Sequence, residues 1–169
     1  MLQIYTGDGK GKTTAALGLA LRAWGHGFNT ALIQFMKGSG DYGEILATRN
    51  LPGIAIHQFG TPDFVKKGSP SEKDIQLAKE GLDFAFEVIK SRNYDIIILD
   101  ELSVAIDFDL VPLQRVLELL DTVPDDDEII ITGRNAPAEL IERADLVTEM
   151  KMIKHYYEKG IQGREGIEF

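Results

Sequence analysis

Hydrophobic and polar positions alternate along this chain in two different ways. Short runs rich in Ile, Leu, Val and aromatic residues are typical of strands, and they occur at residues 2–5, 30–36, 54–59, 96–99, 128–131 and 146–153. Between them, apolar residues recur every three to four positions, which predicts helices at residues 15–24, 70–89 and 112–123 and a short helix from Asn135. The alternation predicts an α/β fold, with a mostly parallel central sheet of about six strands and helices on both faces.

Local signals refine the ends of these elements. The Ser-Pro-Ser-Glu run at residues 69–72 is typical of a capping box with Pro70 at the first helical position. The inner face of the helix that follows is predicted to contain Ile75, Ala78, Leu82, Ala85, Phe86 and Ile89. The mixed pattern of residues 146–153 predicts an edge strand, and residues 39–52 and 154–169 show no clear period.

The composition is that of a globular protein and excludes several classes of site. At 169 residues, 44% hydrophobic and 27% charged, the chain is predicted to form one domain over residues 1–169. It has no cysteine, so disulfides, Cys-ligated metals and iron–sulfur clusters are excluded. The net charge of −9 argues against broad binding to nucleic acid or membranes, which need clustered Lys and Arg. No apolar run could span a bilayer and no signal-peptide pattern opens the chain, so we expect a cytoplasmic protein.

The clearest motif lies between the first strand and the first helix, in the run Thr6-Gly7-Asp8-Gly9-Lys10-Gly11-Lys12-Thr13-Thr14. Glycines at alternate positions and a helix directly behind them are typical of a phosphate-binding loop. In such a loop Lys12 reaches the terminal phosphates and the Thr13 hydroxyl binds Mg²⁺. Thr6 stands where the usual pattern has Gly, so the loop is a variant. The alternatives are a Gly-rich turn without a ligand and, for Lys10, a solvated lysine instead of a second phosphate contact.

A second candidate motif follows the most apolar strand. Residues 96–99 run directly into Asp100 and Glu101, and the next predicted strand runs into Arg134. Carboxyl ends of parallel strands meet at one edge of the sheet, beside the phosphate loop, so Asp100 and Glu101 are candidate Mg²⁺ ligands. The alternative is a strand end that exposes two acids to water. The cations available to a phosphate ligand would be Lys10, Lys12, Arg22, Lys37 and Arg134.

The loop at residues 60–70 carries an unusual set of side chains. Phe59 and Phe64 flank its first turn, and Lys66 and Lys67 follow closely. Aromatic residues in a Gly- and Pro-containing loop either pack back onto the core or form a lid over a flat, apolar ligand. Both interpretations are open from the sequence.

Other candidate sites are weaker. His26, His57 and His155 lie far apart without metal-ligand spacing, and each is expected at the surface or packed. The acidic run at residues 125–128 is expected to be a solvated turn, with a metal or partner site as the alternative. The sequence offers no Gly-x-Ser-x-Gly elbow or cysteine nucleophile for acyl transfer.

Several motifs together carry a family resemblance over nearly the whole chain. They are Gly7 to Ala16, Gln34 to Gly38, Asp100-Glu101, Thr132 to Pro137, Ala144 to Met150, Lys154-His155 and Gly163 to Glu168. On these residues the chain resembles the ATP:cob(I)alamin adenosyltransferases of the phosphate-loop type. The resemblance implies a RecA-like P-loop fold, in which ATP lies along the loop in the reverse of the usual sense.

The resemblance also implies a reaction and the residues that serve it. Co(I) of a reduced corrinoid attacks C5′ of ATP, and triphosphate leaves. Lys12, Thr13, Glu101 and Arg134 are then expected to stabilise the triphosphate, with Glu101 as a metal ligand and no general base. Asp8 and Arg22 are expected nucleotide contacts.

The corrinoid side of the site is implied in the same way. Aromatic residues before the long helix displace the lower axial ligand of the corrinoid, and Phe59 and Phe64 lie in this region. Family members often place a Phe and a Trp here, whereas the one tryptophan of this chain is Trp24. A flavoprotein electron donor and a homodimer are also implied.

Two other functions fit a nucleotide site. A phosphate-loop ATPase or kinase would use Glu101 to orient a nucleophile at the γ-phosphate. A non-catalytic nucleotide switch would use the loop at residues 60–70, called the aromatic loop below, to bind a protein partner. Inorganic phosphate as the product would indicate the first, and slow turnover would indicate the second.

Overall fold

The computed structural model describes residues 1–38, 40 and 42–168. Its strands form one six-stranded sheet in the order β3-β2-β4-β5-β1-β6, in which every pair is parallel. The strands are β1 Leu2–Thr6, β2 Thr30–Phe35, β3 Ile54–Phe59, β4 Ile96–Asp100, β5 Glu128–Thr132 and β6 Leu146–Glu149. The predicted α/β fold is therefore confirmed, including the position of the last strand at an edge. That strand ends four residues earlier than predicted.

The helices include two that the hydrophobic pattern did not predict. They are α1 Lys12–Trp24, α2 Gly43–Thr48, α3 Glu72–Ser91, α4 Leu102–Asp107, α5 Leu113–Asp121 and α6 Ala138–Arg143, followed by a short 3-10 helix at Tyr156–Lys159. Both unpredicted helices, α2 and α4, have six residues, which is too short to show a helical period. Ser39, Asp41 and Phe169, which belong to the two segments predicted without a clear period, lie outside the described residues.

The start of α3 differs from the prediction by two residues. Ser71, not Ser69, is the N-cap, and its hydroxyl accepts a hydrogen bond from the backbone N–H of Asp74 at 3.1 Å. The carboxylate of Asp74 in turn accepts a hydrogen bond from the backbone N–H of Ser71 at 3.0 Å, so Asp74 takes the role predicted for Glu72. Asp74 also accepts from Thr61, and this second bond favours the later register. Ile75 is 41% exposed, so its predicted place on the inner face is wrong.

The two faces of the sheet carry separate cores. Ala16, Ala20 and Ala23 of α1 cover one face, where they pack on Leu32, Ile98 and Ile130. Helices α3, α4, α5 and α6 contribute to the other core, with Ile33, Leu99 and Ile131 among the strand residues. Because side chains alternate along a strand, Gln34, Asp100 and Thr132 point towards the α1 face at the carboxyl edge. None of the described helices has the length and apolar character needed to cross a bilayer.

Candidate active site

The phosphate loop packs tightly against the chain that leaves β6. The backbone N–H of Gly9 donates to the carbonyl of Met150 at 2.6 Å. A Cβ at Gly7 or at Gly9 would lie 2.6 Å from the same carbonyl oxygen, so neither position can hold a side chain without moving the backbone. Gly11 is the N-cap residue directly before α1, and its φ of 117° lies in the left-handed region that favours glycine. Among the described residues no side chain caps this helix, so its first-turn N–H groups are available to an anion.

The side chain of Lys12 folds back along the phosphate loop that precedes it. Its side chain is buried, and Nζ donates to the carbonyls of Gly7 at 2.7 Å and Gly9 at 2.8 Å. Burial lowers the pKa of this ammonium, and the negative charge of Glu101 opposes that shift. Two of the three N–H donors of Lys12 are thus used within the loop, and the third remains for a ligand in the cavity.

Asp100 is the centre of the hydrogen-bond network below the loop. Its carboxylate is fully buried, and Oδ1 accepts from the hydroxyls of Thr13 at 2.8 Å and Thr132 at 2.7 Å. Oδ2 accepts from Gln34 at 3.2 Å and from Lys37 at 3.0 Å. Four donors therefore fix this carboxylate, from α1, β2, β5 and the loop that follows β2, and the carboxylate in turn fixes the hydroxyl of Thr13. Asp100 lies beneath the cavity and does not line it.

Glu101 leaves the strand in a sharp turn. Its φ of 62° lies in the left-handed region, and its backbone N–H donates to the hydroxyl of Thr132 at 3.0 Å. Burial raises the pKa of the Glu101 carboxyl, and the charge of Asp100 raises it further. The positive charges of Lys37, Lys12 and Arg134 act in the opposite direction. A cation beside Glu101 would therefore relieve the cost of burying its charge.

A cavity of about 660 Å³ lies above these groups at the carboxyl edge of the sheet. It brings together many of the predicted site residues, namely Gly9, Lys10, Gly11, Lys12, Thr13, Thr14, Glu101 and Arg134. Its walls also contain residues to which the sequence assigned no site role, namely Leu17, Gly43, Glu44, Val104, His155, Gly166, Ile167 and Glu168. Lys37, which was expected only as an available cation, lines it as well.

Some predicted contacts lie outside this cavity. Arg22 is exposed in the last turn of α1, roughly 15 Å along the helix axis from Lys12 at 1.5 Å per residue. Asp8 is exposed on the outer side of the loop. Thr6 and Gly7 support the loop from below, where the Thr6 hydroxyl accepts from the backbone N–H of Ala136 at 3.4 Å.

The two aromatic residues have different environments. Phe59 packs against the core, with its ring centroid 5.4 Å from that of Phe84. Phe64 is fully exposed on the loop between β3 and α3. Phe59 therefore follows the first interpretation, in which the side chain packs on the core. Phe64 is the one of these two aromatic side chains whose surface is free to contact a ligand.

The aromatic loop is in backbone contact with the loop that carries Lys37. A Cβ at Gly60 would lie 2.5 Å from the backbone nitrogen of Lys37, and a Cβ at Gly38 would lie 2.5 Å from the backbone nitrogen of Pro62. Since Lys37 is bonded to Asp100, this contact links the aromatic loop to the network below the phosphate loop.

The donor set at the carboxyl edge fits Mg²⁺. The described residues contain no group of three or more His, Cys, Asp or Glu side chains that could hold a metal by themselves. Thr13 and Glu101 instead offer one hydroxyl and one carboxylate at the cavity, and the buried carboxylate of Asp100 lies behind the Thr13 hydroxyl and orients it. This suits Mg²⁺, which is commonly bound by one or two carboxylates together with waters and substrate phosphate oxygens.

Comparison with known proteins identifies the family. The sequence model described as "ATP:corrinoid adenosyltransferase BtuR/CobO/CobP" matches residues 1–169. A corrinoid adenosyltransferase of Pseudomonas aeruginosa is 34% identical over 170 residues, which cover 100% of this chain and 83% of that protein. One of Escherichia coli K12 is 35% identical over 168 residues, which cover 98% of this chain and 84% of that protein.

A solved structure supports the fold. The flagellar accessory protein FlaH of Methanocaldococcus jannaschii has a TM-score of 0.56 at 12% identity, over 88% of this chain and 69% of that one. That likeness bears on the fold alone, and it agrees with the predicted α/β architecture. On the match to its full length and on its curated relatives, this chain belongs to the ATP:corrinoid adenosyltransferase BtuR/CobO/CobP family.

Proposed function

We propose that this protein transfers the 5′-deoxyadenosyl group of ATP to Co(I) of a reduced corrinoid and releases triphosphate. The observation that carries the proposal is the phosphate loop anchored on Asp100, in a chain that matches the adenosyltransferase family over its full length. In the reaction Co(I) gives an electron pair to C5′ and becomes Co(III). The C5′–O bond breaks, and triphosphate leaves with the electron pair of that bond.

The residues of the cavity suit this chemistry because Co(I) is itself a strong nucleophile. No side chain has to remove a proton, so the protein must orient C5′ and stabilise the charge of the leaving group. Lys12, Arg134 and the N-terminus of α1 would supply that stabilisation. Thr13 and Glu101 would hold Mg²⁺, which adds positive charge beside the triphosphate, and Asp100 would act on the site through its hydrogen bond with the Thr13 hydroxyl.

The corrinoid is proposed to bind against the aromatic loop. Phe64 is the exposed aromatic residue there, and it would displace the lower axial ligand so that Co(II) is more easily reduced. Phe59 would support the loop from the core. We also propose a reduced flavoprotein as the electron donor, a homodimer as the working assembly and the cytoplasm as the compartment.

The family membership does not favour the other two functions, and the products separate them from the proposed one. An ATPase or kinase cleaves at the γ-phosphate and yields ADP. A nucleotide switch turns ATP over slowly or leaves it intact. Adenosyl transfer alone yields triphosphate together with an alkylated corrinoid.

The test is an anaerobic incubation of the protein with Mg-ATP and chemically reduced cobalamin. We expect the corrin spectrum to change to that of a light-sensitive alkylcobalamin while an equal amount of triphosphate appears. The Lys12→Ala variant should abolish both signals. Formation of ADP and phosphate, or intact ATP with unchanged corrin, would contradict the proposal. Supplying Co(I) chemically makes the result independent of the reductase and of the role of Phe64.

A further inference from the structure

Lys10 of the phosphate loop is bonded entirely to the C-terminal segment. Its Nζ donates to the hydroxyl of Tyr156 at 2.9 Å, to the carbonyl of Ile167 at 2.8 Å and to Oε1 of Glu168 at 2.5 Å. An ammonium has three N–H donors, so all three are used. Lys10 can therefore donate to a phosphate oxygen only by giving up one of these bonds.

Glu168 is held from its other side as well. Its Oε2 accepts from the backbone N–H of Arg164 at 2.8 Å and from Nε of the same residue at 3.2 Å. The Tyr156 hydroxyl bonds to Oε1, and the Arg164 guanidinium lies 4.7 Å from the centroid of the Tyr156 ring. Arg164, then Lys10 and Tyr156, hold the pKa of the Glu168 carboxyl far below its usual value. At neutral pH this carboxylate is charged.

The two ends of the same segment line the active-site cavity. Gly166, Ile167 and Glu168 line it together with Lys12 and Thr13, and so does His155. Nδ1 of His155 accepts from the backbone N–H of Tyr157 at 3.1 Å, and its ring centroid lies 4.8 Å from that of Tyr156. The two ends of the segment are therefore connected to each other through Tyr156.

We propose that residues 155–168 form a wall of the nucleotide cavity and that Lys10 is the positioning residue that holds this wall through Glu168. This inference rests on the proposed function, because it assigns the wall to the ATP of the reaction. The segment limits the access of water to bound ATP, and its loss weakens ATP binding more than it slows the chemical step. Lys12 is the lysine of the loop that binds phosphate, and Lys10 acts through the segment.

The test exchanges the two charges. Lys10→Glu and Glu168→Lys are made singly and together, and ATP affinity and hydrogen exchange of residues 155–168 are measured for each. We expect each single variant to raise KM for ATP about ten-fold while kcat changes less than about three-fold. Exchange of the segment should become faster in both. The double variant should recover part of the lost affinity and protection, because the pair with residue 10 is restored with its charges reversed while the ion pair with Arg164 stays lost.

A matched control uses charges outside the segment and outside the cavity. Lys79→Glu and Glu87→Lys make the same changes on the exposed side of α3, at positions that form no ion pair within the described part of the chain. Both should leave KM for ATP and the exchange pattern unchanged. If the double variant at residues 10 and 168 is as impaired as Lys10→Glu alone, Lys10 binds phosphate directly and the proposal is wrong.

A milder variant keeps the proposal testable if the charge reversals fold poorly. Glu168→Gln preserves the shape of the side chain and removes its charge. It should speed exchange in residues 155–168 and raise KM for ATP several-fold, and unchanged values would overturn the proposal. Hydrogen exchange requires no catalysis. It therefore tests the role of residues 155–168 even if the protein shows no adenosyl transfer, and the two proposals can fail independently.

Discussion

Thr13 and Asp100 are hydrogen-bonded to each other at the carboxyl edge of the sheet, with the threonine hydroxyl donating to Oδ1 at 2.8 Å. Thr13 lies in the first turn of α1, and Asp100 is the last residue of β4. The bond therefore connects the helix that starts at the phosphate loop to the central strand that delivers the two acids. It also holds a hydroxyl beside a carboxylate, which is the arrangement expected of an Mg²⁺ site.

Removing the charge of Asp100 should destabilise the whole protein. Asp100→Asn turns an amide N–H₂ towards hydrogen-bond donors on one side of the buried side chain. It also removes the carboxylate charge 3.0 Å from Lys37, which is 22% exposed and pairs with Glu44 only at the longer distance of 3.9 Å. We expect the free energy of unfolding to fall by about 3 kcal/mol, as when one partner of a buried ion pair is removed. Urea denaturation without nucleotide measures this.

The matched control for Asp100 is a surface ion pair. Asp121 lies 2.6 Å from Arg143 and is 66% exposed. Asp121→Asn should therefore cost less than about 0.5 kcal/mol. Equal losses for the two variants would show that the network around Asp100 has no special role in stability.

The contact between the aromatic loop and the Lys37 loop requires glycine. A methyl group at Gly60 would meet backbone atoms at 2.5 Å, so Gly60→Ala should displace one of the two loops and cost about 1–3 kcal/mol. It should also raise KM for the corrinoid, because Phe64 moves with its loop. Thermal unfolding and steady-state kinetics measure the two effects.

Gly18 provides the control for this substitution. It lies inside α1 with nothing within 4 Å of a Cβ, so Gly18→Ala should stabilise the protein by up to about 1 kcal/mol. KM for the corrinoid should stay the same. A Gly60→Ala variant with unchanged stability and KM would mean that the two loops are not mechanically linked.

Alanine substitutions at Phe64 and Phe59 should have different effects, the first on adenosylation and the second on thermal stability. Phe64 is fully exposed, so Phe64→Ala should leave the melting temperature unchanged. It should reduce adenosylation at least about ten-fold when Co(II) is supplied with a reductase, and have little effect when Co(I) is supplied chemically. Phe59→Ala removes a ring packed on Phe84 and should lower the melting temperature. If Phe64→Ala is active from both cobalt states, another residue must contact the corrin.

The capping box of α3 predicts a dependence of stability on pH. Hydrogen bonds from Ser71, and then from Thr61, lower the pKa of Asp74 below its value of about 3.9 in unfolded chains. This stabilisation is therefore complete above the unfolded pKa and is lost as pH falls through the folded pKa. Asp74→Asn should lower the free energy of unfolding by about 0.5–1 kcal/mol at pH 7. The difference between the two proteins should shrink as pH falls below the unfolded pKa of about 3.9, and a constant difference would exclude the ionised carboxylate as its source.

The fold was predictable because the strands are short, apolar and separated by periodic helices. The run before Asp100 is buried at every position, and such a run has few alternatives to a central strand. The register of α3 was not predictable, since Ser69 and Ser71 both begin acceptable capping sequences. The choice depends on Thr61, which reaches Asp74 from another loop.

The candidate site was predictable where it is local in sequence. Lys12 and Thr13 belong to one loop, and Asp100 and Glu101 follow one strand. The contribution of His155 and residues 166–168 was not predictable, because their position depends on β6 pairing with β1 and bringing the following chain beside Gly9. The quoted family motifs included these residues, and that was the available signal. Arg22 was predicted as a nucleotide contact from the family resemblance and from its position on the first helix. It is in the last turn of that helix, far from the phosphate loop at its start.

The most direct measurement follows the carbon that is proposed to move. ATP labelled with carbon-13 at C5′ is incubated anaerobically with the protein, Mg²⁺ and chemically reduced cobalamin, and the products are examined by NMR. The account predicts that the labelled carbon loses its bond to oxygen and appears bonded to cobalt, in an amount equal to the triphosphate released. If the label remains on a 5′-phosphorylated nucleoside while phosphate is formed, the protein acts at the γ-phosphate and the account is contradicted.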